Sequence, residues 1–171
     1  GVRADYSSVF GDLDFAPRAA LAYKTSKNGL VSLAYGNFYQ NPNNNILKFD
    51  QNLEAERTSH YILNYQYVND GKIFRAEAYR KEYDNLVKFD TEFTSFDSNY
   101  NSNGNGYAQG LDVFWRDNTS IKNLDYWISY SYLDTERNYL NFESAAQPNF
   151  ATNHNFSIVG KYWIDSLKSQ L

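Results

Sequence analysis

The feature that most constrains this chain is a strict alternation of apolar and polar side chains, clearest over residues 107–133, YAQGLDVFWRDNTSIKNLDYWISYSYL. In its first half Leu111, Val113 and Trp115 share one parity, and Gly110, Asp112 and Arg116 the other. In its second half Leu124, Tyr126, Ile128, Tyr130 and Tyr132 oppose Asp125, Ser129 and Ser131. A strand sends successive side chains to opposite faces, so a period of two over this length specifies a β-hairpin with one apolar and one polar face. The β-branched and aromatic residues agree with strand.

The same pattern recurs along the chain. It covers 2–10, 18–24, 30–38, 58–68, 73–83 and 154–164, which with the two arms of the hairpin makes eight runs. Residues 58–68 set Tyr61, Leu63, Tyr65 and Tyr67 against His60, Asn64 and Gln66, and 73–83 set Phe74, Ala76 and Ala78 against Arg75, Glu77, Tyr79 and Lys81. Formal charge enters an apolar row only at Arg80 and Glu82. No helical periodicity is present. The runs predict an all-β fold, an antiparallel up-and-down meander of about eight strands.

The connections alternate in length. Short turns rich in Asn, Asp, Gly and Ser sit at Ser26–Gly29, Asn69–Lys72 and Asn118–Lys122. Long connections fall near 39–57, 88–106 and 134–153, each about 15–20 residues, and loops of that length are usually functional. In a meander, alternate connections emerge at opposite ends, so all short turns share one end and all long loops the other. Short turns on one side and long loops on the other is the asymmetry of an outer-membrane barrel. On the apolar rows, Tyr23, Tyr67, Phe74, Trp115 and Tyr162 lie toward the short-turn end, and Tyr35, Tyr61, Tyr132 and Phe156 toward the long-loop end. Aromatic bands flanking an aliphatic middle suit the two surfaces of a bilayer. A soluble up-and-down barrel carries the same alternation with its apolar row turned inward. The one-sided loops, the banded aromatics and run lengths of roughly 9–11 residues favour the membrane.

Composition narrows the chemistry. Tyrosine (16) and phenylalanine (12) are abundant in the 171 residues, and cysteine is absent, which removes disulfides, thiolate nucleophiles and zinc-finger spacings. The net charge is −4 with no basic run, so a nucleic-acid footprint is missing. No apolar run approaches the length of a membrane helix, which bears on helical spans only.

Several segments resemble the barrel of TonB-dependent outer-membrane receptors, particularly those of Bacteroidetes-type bacteria. They are FAPRAALAYK (15–24) with NGLVSLAYGNFYQNP (28–42), NLEAERTSHYILNYQY (52–67), FRAEAYRKEYDNLVKF (74–89), GNGYAQGLDVFWRD (104–117), and the stretch from YSYLDTERNY to NHNFSIVGKYWI (130–164). Their order follows that of the family. The resemblance implies an arc of a larger transmembrane β-barrel, a single barrel segment over residues 1–171 without the plug domain, although eight strands can also close into a small barrel of their own. It implies a bacterial outer-membrane location, import of a bulky nutrient (siderophore, oligosaccharide, peptide or vitamin), and contact with outer-membrane lipid, a plug domain and TonB in the intact protein. The other readings are a self-contained eight-stranded outer-membrane barrel and a soluble β-barrel binding a hydrophobic ligand.

No catalytic arrangement, cofactor or metal site is legible. His60 and His154 lie on separate strands without a Glu-x-x-His partner, and a structural role suits them better than ligation. Asn103-Gly104-Asn105-Gly106 reads as a glycine-rich turn. Arg75, Glu77, Lys81, Asp112, Arg116 and Asp125 fall on the polar row, and in a barrel arc they face the lumen as a set of mutually compensating charges. The long loops mix aromatics with Asn and Asp, which suits stacking and hydrogen bonding to a polar small-molecule or oligomeric substrate. Phe96, Tyr100, Tyr107, Tyr139, Phe142 and Phe150 are the ligand-binding candidates there.

Overall fold

The computed structural model describes residues 1–7, 11–149 and 151–170. Its strands are β1 (Val2–Ser7), β2 (Asp12–Lys24), β3 (Gly29–Gln40), β4 (Glu56–Asn69), β5 (Lys72–Phe89), β6 (Tyr100–Asp117), β7 (Leu124–Asn138), β8 (His154–Ile164) and β9 (Ser169–Gln170). They form one sheet in chain order, each antiparallel to the next. All eight expected runs contain strand; the part of the first run beyond Ser7 lies outside the described residues. β1 and β9 stand at opposite ends of the order and do not pair, so the sheet is an open arc, and the closed small barrel is not formed.

The turns 25–28, 70–71, 118–123 and 165–168 lie at one end of the sheet, and the connections 41–55, 90–99 and 139–153 at the other. The tightest reversal uses Asp70 (φ 39°) and Gly71 (φ 77°), both left-handed, as a two-residue hairpin that follows strand twist requires. The β6–β7 turn is built around the Asp117 carboxylate, which accepts from the amides of Thr119 and Ser120, each at 2.9 Å. Such an acceptor supplies the reversal with the partners its backbone donors would otherwise lack.

Pairing sets the faces. Leu21, Leu33, Leu63, Ala78 and Leu111 follow one another across five strands on one face, with Ala22, Ser32, Asn64, Glu77 and Asp112 one residue along on the other. The apolar row is bare: Leu21 is 70% exposed, Leu63 47% and Ile158 65%. A sheet of this kind in water would bury that row against a second layer, and no second layer exists among the described residues. Buried apolar side chains gather instead at the long-loop end, where Ile46, Leu47, Leu53 and Val87 pack with Tyr100 and Leu140.

That lobe explains where strand lengths depart from the alternation. β5 and β6 are 18 residues each, roughly 60 Å of extended chain, about twice what a bilayer needs. Their upper halves lose the period of two because register shifts fall between Tyr83 and Leu86 and again before Lys88, with Asn85 left-handed at φ 59°. A bulge of this kind reverses which face later residues occupy and hides the strand from a periodicity reading. For the same reason Gly104 and Gly106 belong to β6 and not to a turn. A Cβ on Gly104 would come within 2.5 Å of the Leu86 carbonyl and 2.6 Å of that of Asn138, so only glycine lets β5, β6 and β7 close up there. The one-turn helix α1 (Asn44–Leu47), capped by Asn43 through the amide of Asn45, inserts Ile46 and Leu47 into the lobe. Four residues are too few to leave a helical period in the sequence.

β2 changes partner along its length. Residues 12–17 pair with β1 and residues 18–24 with β3. Arg18 exchanges both backbone hydrogen bonds with Gly1, so the nitrogen of the preceding Pro17 faces β3, and proline has no N–H to give. The β2–β3 ladder therefore stops at Arg18, and the sheet splits above it.

Candidate functional site

The polar face carries two groups of side chains. Toward its middle, Arg75, Glu77, Asp112, Asn64, Phe114 and Ser129 surround a recess of about 250 Å³. Glu77 lies directly opposite Asp112 across the β5–β6 ladder and accepts from the Asn64 amide at 3.3 Å. Near the short turns, Arg116 and Asp125 form a two-pronged pair, Nε to Oδ1 at 2.9 Å and NH2 to Oδ2 at 2.6 Å. Arg116 thus pairs with Asp125 across the β6–β7 turn, and Arg75, Glu77 and Asp112 share one recess. Lys81 stands apart from both groups.

Lys81 belongs to a row at the long-loop end of the same face. Arg18, Gly36, His60 and Lys81 follow one another across β2, β3, β4 and β5. The Arg18 guanidinium lies 4.4 Å above the Phe38 ring, and that ring lies 4.4 Å from the His60 imidazole. Gly36 makes the stack possible, since a Cβ there would meet Arg18 Cγ at 3.2 Å and Phe38 Cε2 at 3.3 Å. A recess of about 380 Å³ opens beside it, lined by Ala20, Ala34, Ile62, Phe38, His60 and Arg18. It meets, at Arg18 and Phe38, the cleft of about 560 Å³ left where the sheet splits. The sequence reading named Lys81 but not Arg18, Phe38 or Gly36. Their convergence depends on register across four strands, and an arginine before an Ala-rich run carries no local mark of it.

The aromatic candidates divide between structure and surface. Tyr100 opens β6; its hydroxyl donates to the Ser95 carbonyl and accepts from the Ser95 amide, both at 3.0 Å, and its ring packs on the buried lobe. Phe96 sits in the 90–99 connection, 81% exposed, with its edge against Phe49 at 4.9 Å. Tyr139 and Phe142 stack at 5.4 Å in the last long connection. Tyr107 is a strand residue whose hydroxyl reaches Asp134 at 3.3 Å, on the same face as Arg80 and Glu82. Phe150 lies outside the described residues. The structure therefore gathers Phe96 and Tyr100 around Phe49, pairs Tyr139 with Phe142, and leaves Tyr107 on the apolar face.

The loops themselves interlock. The Leu140 amide donates to the Val87 carbonyl at 2.6 Å, Lys88 Nζ to the Phe142 carbonyl at 3.2 Å, the Asn85 amide to Glu54 at 2.9 Å, and the Glu54 amide to Ser102 Oγ at 2.9 Å. His154 packs between Tyr130 and Tyr132, its Nδ1 2.9 Å from the Tyr130 hydroxyl. Among the described residues no cluster of His, Asp and Glu has the geometry to hold a metal ion.

A model of the family described as TonB-dependent receptor-like, beta-barrel matches residues 1–168. Among solved structures, a mutant of the ferric enterobactin receptor from Pseudomonas aeruginosa in complex with enterobactin is similar, with a TM-score of 0.73 at 15% identity over 94% of this chain and 27% of that one. The siderophore receptor PirA from the same organism gives 0.65 at 18% identity over 80% and 28%, and the ferric-catecholate import receptor Fiu from E. coli gives 0.68 at 13% over 89% and 23%. This chain thus spans about a quarter of each of these receptors. No curated protein sequence matches it.

Proposed function

The chain belongs to the TonB-dependent receptor-like β-barrel family, and from that premise we propose that it is an arc of the outer-membrane barrel of a nutrient importer. The observation that carries this reading is the bare apolar row. Side chains such as Leu21, Leu63 and Ile158, between 47% and 70% exposed, need a hydrocarbon neighbour, and a bilayer supplies it continuously. The polar face then lines the lumen, with the Arg75, Glu77 and Asp112 recess available to a plug domain that TonB pulls upon. The interlocked loops stand on the outside, where they meet the ligand first. Siderophores, the ligands named for the similar receptors, are the favoured cargo over oligosaccharides, peptides and vitamins. Phe96, Tyr139 and Phe142 are the loop residues best placed for first contact, and Tyr100 and Tyr107 hold the surrounding structure.

Fractionation tests this reading. An antibody raised against residues 90–99 should label intact cells and detect, in the outer membrane, a band several times heavier than the 19.9 kDa of this chain. A soluble band, or labelling only after lysis, would overturn it.

A further inference from the structure

The bare apolar face is not uniform. On it Tyr35, Tyr61 and Arg80 follow one another across β3, β4 and β5, and Leu33, Leu63 and Ala78 run beside them. These side chains line much of a groove of about 640 Å³, a volume in the range of ligand pockets. The Tyr35 and Tyr61 rings stand 5.2 Å apart on its long-loop side, and the short side chain of Ala78 leaves room beside Arg80. Beyond the groove, toward the long loops, the same face turns polar. Arg80 donates from Nε to Glu82 at 3.0 Å and from NH1 to Gln109 at 2.8 Å, and the Gln109 amide donates in turn to Asp134 at 2.9 Å. The side chains of Arg80 and Glu82 stay 48% and 45% exposed, so each keeps an open side. In this belt the carboxylates Glu82, Asp84, Asp134 and Glu136 outnumber the cations Arg57 and Arg80. The groove therefore ends at one cation backed by a surplus of negative charge.

We propose that the groove and belt bind one aminophospholipid, with an acyl chain in the groove, its phosphate at Arg80 and its ammonium at Glu82. The inference rests on the barrel reading above, which turns this face to lipid. The match is one of charge and of length. Arg80 and Glu82 are two residues apart on one face, about 7 Å of strand, a gap that a phosphate and an ammonium on a two-carbon linker bridge. Both contacts are charge-assisted hydrogen bonds at the edge of the hydrocarbon, where screening by water is reduced. A lipid carrying phosphate without an ammonium meets Arg80 but is repelled by the surrounding carboxylates. A choline headgroup meets Arg80 and has no N–H to give Glu82.

The test uses the full-length receptor that contains this arc, extracted from outer membranes and stripped of lipid in detergent. It is offered equal amounts of phosphatidylethanolamine, phosphatidylcholine, phosphatidylglycerol and lipid A, and native mass spectrometry reads the lipid retained. Phosphatidylethanolamine is expected to be held about fivefold more than each of the others. Glu82→Gln should remove that preference and leave phosphatidylcholine unchanged, whereas Arg80→Gln should weaken both about fivefold. Ala78→Phe, which fills the groove, should abolish retention; Ile158→Phe, on the same face three strands away, should not. Heat-modifiable gel migration confirms that each variant folds. Equal retention of all four lipids, a preference for phosphatidylglycerol or lipid A, a preference that survives Ala78→Phe, or a lipid-free dimer overturns the inference. A receptor missing from the outer membrane overturns the barrel reading instead, a result the starting fractions record.

Discussion

At the scale of single residues, the loops are held by side chains that bond to backbone. Asp90 is the clearest case: the Asn99 side-chain amide reaches its carboxylate at 2.5 Å and the Asn99 backbone amide at 2.9 Å, closing the 90–99 connection. These bonds, the side-chain one foremost, hold the Asp90 carboxyl below its ordinary range. A depressed pKa in the folded state means the clasp contributes fully above the unfolded carboxylate value of ~3.9 and is lost as pH falls through the folded value. The clasp is expected to stay closed throughout neutral and mildly acidic conditions and to open only below about pH 4. A carboxyl NMR titration of Asp90 checks this, and a midpoint at or above the unfolded value would show that the clasp does not form. Thr91 Oγ1 and Ser98 Oγ bond within the same connection, so Phe93 and Phe96 are presented from a structured loop. The sequence reading found Phe96 by its aromatic character. It had no means of finding Asp90, because an Asp nine residues before an Asn is commonplace until the loop closes.

At the scale of elements, the two faces of a strand make opposite demands on the same substitution. Leu63 and Asn64 are consecutive on β4, between the aromatic band containing Tyr61 and that containing Tyr67, and they point to opposite faces. Leu63→Lys is expected to cost about 2–4 kcal/mol when the receptor folds into a bilayer, and Asn64→Lys no more than ~1 kcal/mol. Denaturant titration in liposomes measures both. Equal costs would mean that neither face meets lipid, and a larger cost at Asn64 would invert the assignment. This alternation was legible in every strand where it was unbroken. It failed at the upper half of β5, where the bulge around Asn85 shifts the register, and at Gly104 and Gly106, whose lack of side chains reads locally as a turn. α1 was missed because its stability comes from the burial of Ile46 and Leu47 in the lobe and not from helical propensity.

At the scale of the whole molecule, the arc is open. β1 has a neighbour only in β2, and β9 only in β8, over two residue pairs. Unpaired strand edges in a bilayer leave backbone groups without partners, and in water they template association with other chains. The isolated 171-residue chain is therefore expected to refold in detergent to oligomers and not to a monomer, as light scattering on the eluted species will read. A stable monomer with protected edge amides would require closure that the sheet order does not provide. The loop lobe has its own small core, which ties together three connections far apart in sequence.

The sequence by itself determined the β class, the meander, the sides of the strands wherever the alternation is unbroken, and the end at which the long loops gather. These follow from a period of two and from turn chemistry, which are local and survive without knowledge of contacts. It also placed Arg75, Glu77, Lys81, Asp112, Arg116 and Asp125 on one face, since parity alone decides that. Only the tertiary structure decided which of them meet. Arg116 finds Asp125 across a turn, Glu77 finds Asp112 across a ladder, and Lys81 shares a row with Arg18, which lies 63 positions earlier in the chain. Register is the sum of every turn and bulge between two residues, and one missing proline N–H at position 17 changes where a ladder ends. Neither quantity is visible in a pattern of single side chains, because both depend on which backbone donor faces which neighbour.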